Sequence, residues 1–352
     1  MRKTLLIVGA ILFIVAAAAG LVGYQIVFGS NTTGFEGERS VKLPPGSRFD
    51  AVADSLESAG ILRSRTTFEL VGKATGWASQ VKAGHYTFKE GASNYQMLDV
   101  IRKGLQTPVR LTIPPGSRPE VVAAVASQAM AFEKEDFLEA LNDTTLAAEL
   151  STDTRHLFGY MLPDTYHFYW LTDARTVVKR IATEFDRFYN AEIKAAADSL
   201  GLDKGQVVTL ASIVDWETAI NEEKPRVAGV YLNRLRVGMP LQADPTVQYV
   251  VMQQEGKKRR LLYEDLRIDS PYNTYLFQGL PPGPITNPPR SSLLAVAKAE
   301  KHDLWYFVAN GDGGHVFSRT HAEHARAAQR YYDLMRERRR QLREQQAAGQ
   351  QR

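Results

Sequence analysis

Twenty residues from Leu5 to Tyr24 carry no charge, and that run restricts the chain more than any other. A helix of this length spans roughly 30 Å of hydrocarbon, and inside hydrocarbon a lone segment satisfies its backbone polar groups only as a helix. Arg2 and Lys3 precede it, and the first charge after it is Glu36. The positive-inside bias then sets the N-terminus in the cytoplasm and everything after Phe28 on the outer, periplasmic face of the cytoplasmic membrane, as a single-pass anchor. A cleaved signal is the rival, with Ala16–Ala19 as a small-residue cleavage site. The apolar run exceeds the roughly 7–15 residues of such signals, which favours the anchor.

The remaining chain, out of 352 residues, is long enough for two or three domains with substantial cores. Net charge is +4, and residues 321–352 alone hold eight arginines against four acids. The rest is close to neutral, so no broad nucleic-acid footprint is present and no nucleic-acid partner is expected. The absence of cysteine excludes disulfides, thiolate metal sites, a cysteine nucleophile and a lipidated N-terminal cysteine.

A repeat organises the first half. Leu43-Pro-Pro-Gly-Ser-Arg48 recurs as Ile113-Pro-Pro-Gly-Ser-Arg118. Each copy ends a β-branched run and opens an amphipathic pattern, Phe49, Val52, Ala53, Leu56 in the first and Val122, Val125, Ala126, Ala129 in the second. The implied unit is strand, Pro-Gly turn, helix. Helical patterns at Thr67–Lys73 and Asn94–Lys103 and a strand at Ala83–Phe88 complete an α+β module over 41–108. Its opening resembles LysM modules, which bind N-acetylglucosamine-containing polymers. The second copy is either another such unit or the start of the next domain.

The expected fold class is α+β: a transmembrane helix (1–28), a Gly/Ser/Thr/Asn-rich linker (29–40), the LysM-like module (41–108), the second strand-turn-helix copy with a helical connecting region (109–205), a larger catalytic region (206–335) and a basic tail (336–352). Six aromatics lie within Phe158–Trp170, either a sugar-stacking wall or, as the segment alone favours, a buried hairpin. Leu304–Ala309 and His315–Ser318 read as strands joined by Gly311-Asp-Gly-Gly314. From His321 onward the pattern is a solvated helix and frayed tail.

The candidate for chemistry lies in Leu210-Ala-Ser-Ile-Val-Asp-Trp-Glu-Thr-Ala219. On a helix over 206–220, Leu210, Ile213 and Val214 project within roughly 60° of Glu217, which places an acid on an apolar stripe. Such a carboxyl has its ionised form disfavoured and its pKa raised, as a general acid near neutral pH requires. Asp215 points about 200° away on the same helix, so the two acids are no close pair. The bland reading is an ordinary helix whose Glu snorkels or caps a neighbour.

Gly238–Thr246 offers Gln242, Asp244 and Thr246 from turn-forming backbone, and Ser270–Tyr275 adds Tyr272, Asn273 and Tyr275. Neutral polar groups beside aromatics suit carbohydrate, though Asp-Pro and Asn also make turns. Gly279–Pro289 has five prolines in eleven residues and loses little entropy on ordering, so it suits the wall of a groove. His321-Ala-Glu-His324 lacks the spacing of a zincin helix, so no metal is expected. No phosphate loop or serine nucleophile elbow is present, and no cofactor is implied.

Taken with Val230-Tyr-Leu-Asn-Arg-Leu235, Leu241-Gln-Ala-Asp-Pro-Thr-Val247, Tyr272-Asn-Thr-Tyr275, Gly279-Leu-Pro-Pro-Gly-Pro-Ile285 and Gly314-His315, the Glu217 string resembles the endolytic murein transglycosylases (MltG, YceG-like). Lys82-Ala-Gly-His-Tyr-Thr-Phe88 and Leu162-Pro-Asp-Thr-Tyr166 are similar to that family too. The family helix usually reads Glu-x-Glu-Thr, whereas Asp215 stands first here and Glu217 is kept. Its aromatic segment usually opens Glu-Gly, where this chain has Phe158-Gly159.

The resemblance implies catalysis by Glu217 on peptidoglycan glycan strands. The acid protonates the oxygen between N-acetylmuramic acid and N-acetylglucosamine, then accepts the proton of the muramyl 6-hydroxyl as it closes a 1,6-anhydro ring. An internal nucleophile removes the need for the second carboxyl that hydrolases use. Gln242, Asn273 and Tyr275 are the candidates for positioning the sugar, and Asn233, Asp244 and Thr246 for bracing the loops. The family also implies contact with penicillin-binding synthases. Two alternatives are a lysozyme-like hydrolase pairing Asp244 with Glu217 and a non-catalytic wall-binding scaffold.

Overall fold

The computed structural model describes residues 2–350 of the chain. These fall into two units, one running to Leu111 with 129–131 and 167–172, the other holding 112–128, 132–166 and 173 onward. Both mix helices with short two-stranded sheets, so the α+β class holds.

The first unit contains α1 (Arg2–Phe28), β1 (Glu38–Leu43), α2 (Phe49–Ser58), α3 (Arg65–Ala74), β2 (Gly84–Lys89) and α4 (Asn94–Lys103). β1 and β2 are antiparallel, with Val41 opposite Tyr86 and Leu43 opposite Gly84. The period-2 alternation of strands sends Val41, Leu43, Tyr86 and Phe88 into one core with Leu56, Phe68, Met97 and Ile101. α4 begins at a capping box in which Ser93 and Gln96 satisfy each other's backbone N–H groups.

The stretch expected as a linker is folded. Asn31 and Thr32 are buried; the Asn31 backbone N–H donates to Ala92 O at 3.0 Å, and its Nδ2 donates to Asn94 Oδ1 at 2.6 Å and Ser64 O at 2.8 Å. Short polar side chains signal flexibility only where they lack backbone partners, and here they find them.

β3 (Val109–Thr112) pairs with β4 (Thr165–Phe168). The aromatic segment is therefore neither a self-paired hairpin nor a sugar-stacking wall: Phe158, Tyr160, Tyr166 and Phe168 are buried, and Tyr160 stacks on Phe185 with ring centres 4.4 Å apart. The position where the family carries an acid before Gly159 is a core position here.

The second unit contains the helices α5 (Pro119–Ala129), α6 (Lys134–Leu141), α7 (Thr144–Glu149), α8 (Thr154–Leu157), α9 (Ala174–Glu192), α10 (Lys194–Leu200), α11 (Lys204–Glu217) and α12 (Lys224–Arg236). After them come α13 (Asp244–Glu255), α14 (Arg290–Ala297), the strands β5 (Tyr306–Ala309) and β6 (His315–Ser318), and α15 (His321–Gln350). The second Pro-Pro-Gly copy thus opens this unit rather than repeating the first. Its turn supports α11: Trp216 Nε1 donates to Gly116 O at 3.0 Å. Gly116 has φ +58°, and an added Cβ would stand 3.0 Å from Asp215 Oδ2, so the turn requires glycine on both counts.

The proline-rich segment lies behind α11 rather than walling a groove. Pro281, Gly283 and the stretch Pro284 to Pro288 are buried. Ile285 N–H donates to Ser212 Oγ at 3.0 Å, and Asn287 Nδ2 donates to the Pro114 and Met161 carbonyls at 3.0 Å each. The basic C-terminal segment continues α15 without a break, and Arg338 still holds the β5–β6 turn through Asp312 at 2.8 Å.

Candidate active site

α11 is buried on all sides from Val207 to Val214, the pattern of a central helix rather than of an amphipathic one. The expected apolar stripe exists, but it does not single out Glu217. What does is the end of the helix: Glu217 is its last residue, and Thr218 turns extended at φ −141°. The carboxyl therefore emerges from the core beside the negative end of the helix dipole, which opposes a second negative charge.

Burial pushes the Glu217 carboxyl up to about 7, assisted by the Asp244 charge and opposed by a hydrogen bond from Tyr231 and by the Arg234 guanidinium. The Tyr231 hydroxyl donates to Glu217 Oε1. Tyr231 is 1% exposed, so its hydroxyl has left water for this one acceptor. Burial and the neighbouring carboxylate push its own pKa well up, which keeps it a donor.

Arg234 is fixed by backbone carbonyls, with Nε donating to Trp305 O at 2.8 Å and Nη1 to Leu241 O at 2.6 Å. Glu223 pins the β5–β6 hairpin to the start of α12 by accepting from His315 N–H at 3.0 Å and pairing with His315 Nδ1 at 2.8 Å. Burial alone would raise the Glu223 carboxyl, but these bonds lower it. A Cβ on Gly314 would come within 2.7 Å of Glu223 Oε1, so this close approach needs glycine.

Asp215, the other acid of α11, has a different fate. Lys224 Nζ lies 3.0 Å from its Oδ1 and Ser292 Oγ 2.7 Å from the same oxygen. It is a partly buried structural ion pair that clamps α11 to α12 and α14.

Glu217 stands at the junction of two hollows that share Asp244 and Tyr275. One, about 360 Å³, is bordered by Tyr231, Arg234, Gln242, Tyr306, His315, His321 and His324. The other, about 790 Å³, is bordered by Trp216, Gln248, Lys258, Arg260 and Tyr263. A linear substrate laid through both would cross the carboxyl mid-chain.

The sequence-derived candidates separate by position. Gln242 is exposed in the cleft with φ +49°, a left-handed conformation that a non-glycine residue holds only when its surroundings enforce it. They do: Gln242 N–H donates to Thr274 O at 3.0 Å, and Thr246 Oγ1 bonds Ala243 O at 2.8 Å and Thr274 Oγ1 at 2.9 Å. Thr246 is a buried brace. Tyr275 is half-buried in the cleft, donating its hydroxyl to Asp244 Oδ1 at 2.6 Å.

Asn273 requires correction as a sugar contact. It is fully buried, its Nδ2 donates to Leu266 O at 3.1 Å and Ile268 O at 2.9 Å, and its Oδ1 accepts from Tyr275 N–H at 3.0 Å. An amide spent on three backbone groups holds the loop that presents Tyr275. Asn233 likewise serves backbone, donating to His302 O at 2.9 Å and Leu304 O at 3.0 Å. Asp244, expected as a brace, is exposed between the two hollows.

Tyr231, Arg234 and Tyr306 border the cleft without having been singled out in the sequence, and His321 and His324, weighed there only as metal ligands, border it too. Tyr231 carried a signal, because a hydroxyl within an apolar helical stripe demands a partner. His321, on the exposed face of α15, and the half-buried His324 both border the cleft, and the His324 ring stacks on Tyr306 at 5.3 Å.

Tyr231→Phe removes the bond that favours the Glu217 carboxylate. The pKa of Glu217 is then expected to rise further, by about 1 unit. An NMR titration of the Glu217 carboxyl in parent and variant checks this, and an unmoved pKa would contradict the assigned bond.

Residues 41–330 match the model of the YceG-like family. The chain is 32% identical, over 83% of its length and 84% of the relative's, to an endolytic murein transglycosylase of Bacillus subtilis. It is 29% identical, over 86% of its length and 60% of the relative's, to one of Streptococcus pneumoniae. The crystal structure of a YceG-like protein from Listeria monocytogenes superposes with a TM-score of 0.58 at 28% identity, covering 82% of this chain and 98% of that one.

Proposed function

Because the chain belongs to the YceG-like family, we propose that it is an endolytic murein transglycosylase, a peptidoglycan-cleaving enzyme whose acid is Glu217. The observation that carries this is the carboxyl with pKa near 7 at the junction of the two hollows. A group with that pKa holds its proton in about half the molecules at neutral pH. It can give the proton up and take one back within a turnover, the balance an acid-base catalyst needs.

A glycan strand lies through the cleft with a muramyl–glucosaminyl bond over Glu217. The carboxyl protonates the bridging oxygen, the muramyl C1–O bond breaks, and the glucosaminyl hydroxyl leaves. The muramyl 6-oxygen then forms a bond to C1 while its proton passes to the Glu217 carboxylate, which restores the acid. No water is consumed. Tyr231 steadies the carboxylate between the two proton transfers, and Gln242 and Tyr275 orient the sugars.

One observation favours hydrolysis as a second reading: Asp244, an exposed carboxylate, faces the same cleft as Glu217. Mass spectrometry of the products from purified strands decides between them. Anhydro ends are expected, each lighter by one water than a hydrolysed end. Reducing ends carrying that water would move the assignment to the Glu217 and Asp244 pair.

The helix Lys3–Phe28 is long and apolar enough to cross a membrane. With Arg2 and Lys3 at its start, the preferred orientation sets the N-terminus inside and both units on the outer face, where nascent strands emerge. The strand-turn-helix opening of the first unit supports a LysM-like glycan contact there, and penicillin-binding synthases are the expected neighbours.

A further inference from the structure

Four aromatic rings run unbroken from the end of α1 across the first unit. Tyr24 and Phe28 have ring centres 5.2 Å apart, Phe28 and Tyr95 5.3 Å, and Tyr95 and Trp77 5.2 Å. The Arg102 guanidinium lies 4.2 Å over Trp77. Tyr24 is 61% exposed, Phe28 50% and Tyr95 37%. Trp77 is partly buried against the core of the unit, and the three exposed rings that continue from it mark an interaction surface.

The rings come from the helix and from the folded unit, and the two are joined firmly. Asn94 Nδ2 donates to Ile26 O at 2.9 Å, Ile26 and Val27 pack against the core of the unit, and the chain after Gly29 enters that unit through Asn31 rather than a slack tether. An α1 inserted over Leu5–Tyr24 fills about 30 Å of hydrocarbon. Tyr24 then reaches the boundary, and Phe28, one turn on, lies in the headgroup zone.

We infer that the first unit sits directly on the bilayer, with Tyr24, Phe28, Tyr95 and Trp77 as an interfacial collar and the Arg102 guanidinium beside them held by Asp99. Tyrosine and tryptophan favour that zone because an apolar ring and a polar edge are both satisfied there. The occupant of this surface is the lipid from which α1 emerges, and the consequence is a first unit held at fixed height and tilt. The inference rests on α1 spanning the membrane.

The absence of native cysteine makes single labels unambiguous. Full-length chain carrying Ser79→Cys, exposed beside Trp77, Ser58→Cys, exposed on α2, or Val15→Cys within α1 is labelled with an environment-sensitive fluorophore. Each is reconstituted in phosphatidylethanolamine–phosphatidylglycerol vesicles. The label at 79 is expected to emit at shorter wavelength, to be quenched by a nitroxide near the headgroup end of the acyl chain, and to be several-fold less accessible to iodide than the label at 58. If 79 is as open to iodide as 58 while 15 is shielded, the collar is wrong and the anchor stands. If 15 is itself open to iodide, the anchor reading fails and the collar with it.

Discussion

Replacing Glu217 with Gln is expected to lower strand cleavage by about a thousandfold or more, within the range that positioned acid-base groups contribute, without loss of the fold. Gln keeps an oxygen that accepts the Tyr231 hydroxyl, so the packing at the end of α11 persists while the transferable proton is gone. The same variant has a stability signature. The Glu217 carboxyl rises from 4.5 to about 7 on folding, so the native chain holds a proton that the unfolded chain has released between those values. The stability conferred is fully present below pH 4.5 and is lost as pH climbs through the folded-state value. Gln escapes that loss. At pH 8 Glu217→Gln is expected to be more stable than the parent by about 2–3 kcal/mol, and at pH 4 nearly equal. Urea unfolding at both pH values measures the difference; retained cleavage, or the same offset at each pH, would remove Glu217 from the role of a partly buried acid.

The second large effect belongs to Lys224→Met, which is expected to cost about 3–5 kcal/mol of stability, the penalty for leaving one member of a buried pair alone. Lys224 is 4% exposed, and its Nζ lies 3.0 Å from Asp215 Oδ1. Without it the Asp215 carboxylate retains only the Ser292 hydroxyl in a site that water cannot enter freely. Adding Asp215→Leu to Lys224→Met removes the stranded charge and is expected to recover most of the loss. Denaturant unfolding of the single and double variants tests the pair. A Lys224→Met chain as stable as the parent, or a double variant weaker than the single one, would show that Asp215 draws no support from Lys224. The pair also explains how this chain carries Asp where the family usually has the first Glu of its motif. The position is a clamp between α11, α12 and α14, so its demand is for a charge of suitable reach rather than for a proton donor.

Much of this site was legible along the chain. Glu217, Gln242 and Tyr275 follow from residue type and spacing, and they do meet in one cleft. Asn273 shows where such reading stops. An amide between two tyrosines looks the same in sequence whether it faces a sugar or three backbone groups, and only burial separates the two. The histidines of α15 show a different limit: the helix is solvated as its polar, arginine-rich sequence indicates, yet its first turn also borders the cleft, which the pattern does not reveal. The linker failed for a related reason, since Asn31 and Thr32 are ordered by partners more than 25 residues away.

The sequence by itself determined many of the elements and named the candidate acid. Uncharged length gave the apolar helix, β-branched runs beside the Pro-Pro-Gly turns gave strands, and an acid on an apolar helical run made Glu217 a candidate, because local geometry and hydrophobic patterning depend on neighbours close along the chain. Tertiary structure alone decided that the helix ends at Glu217, that Tyr231 supplies the hydroxyl for its carboxylate, that Asp215 is spent on Lys224, and that the first unit is clamped to α1. Each of these depends on which polar groups lose water and which distant partner replaces it, a balance that no local pattern encodes.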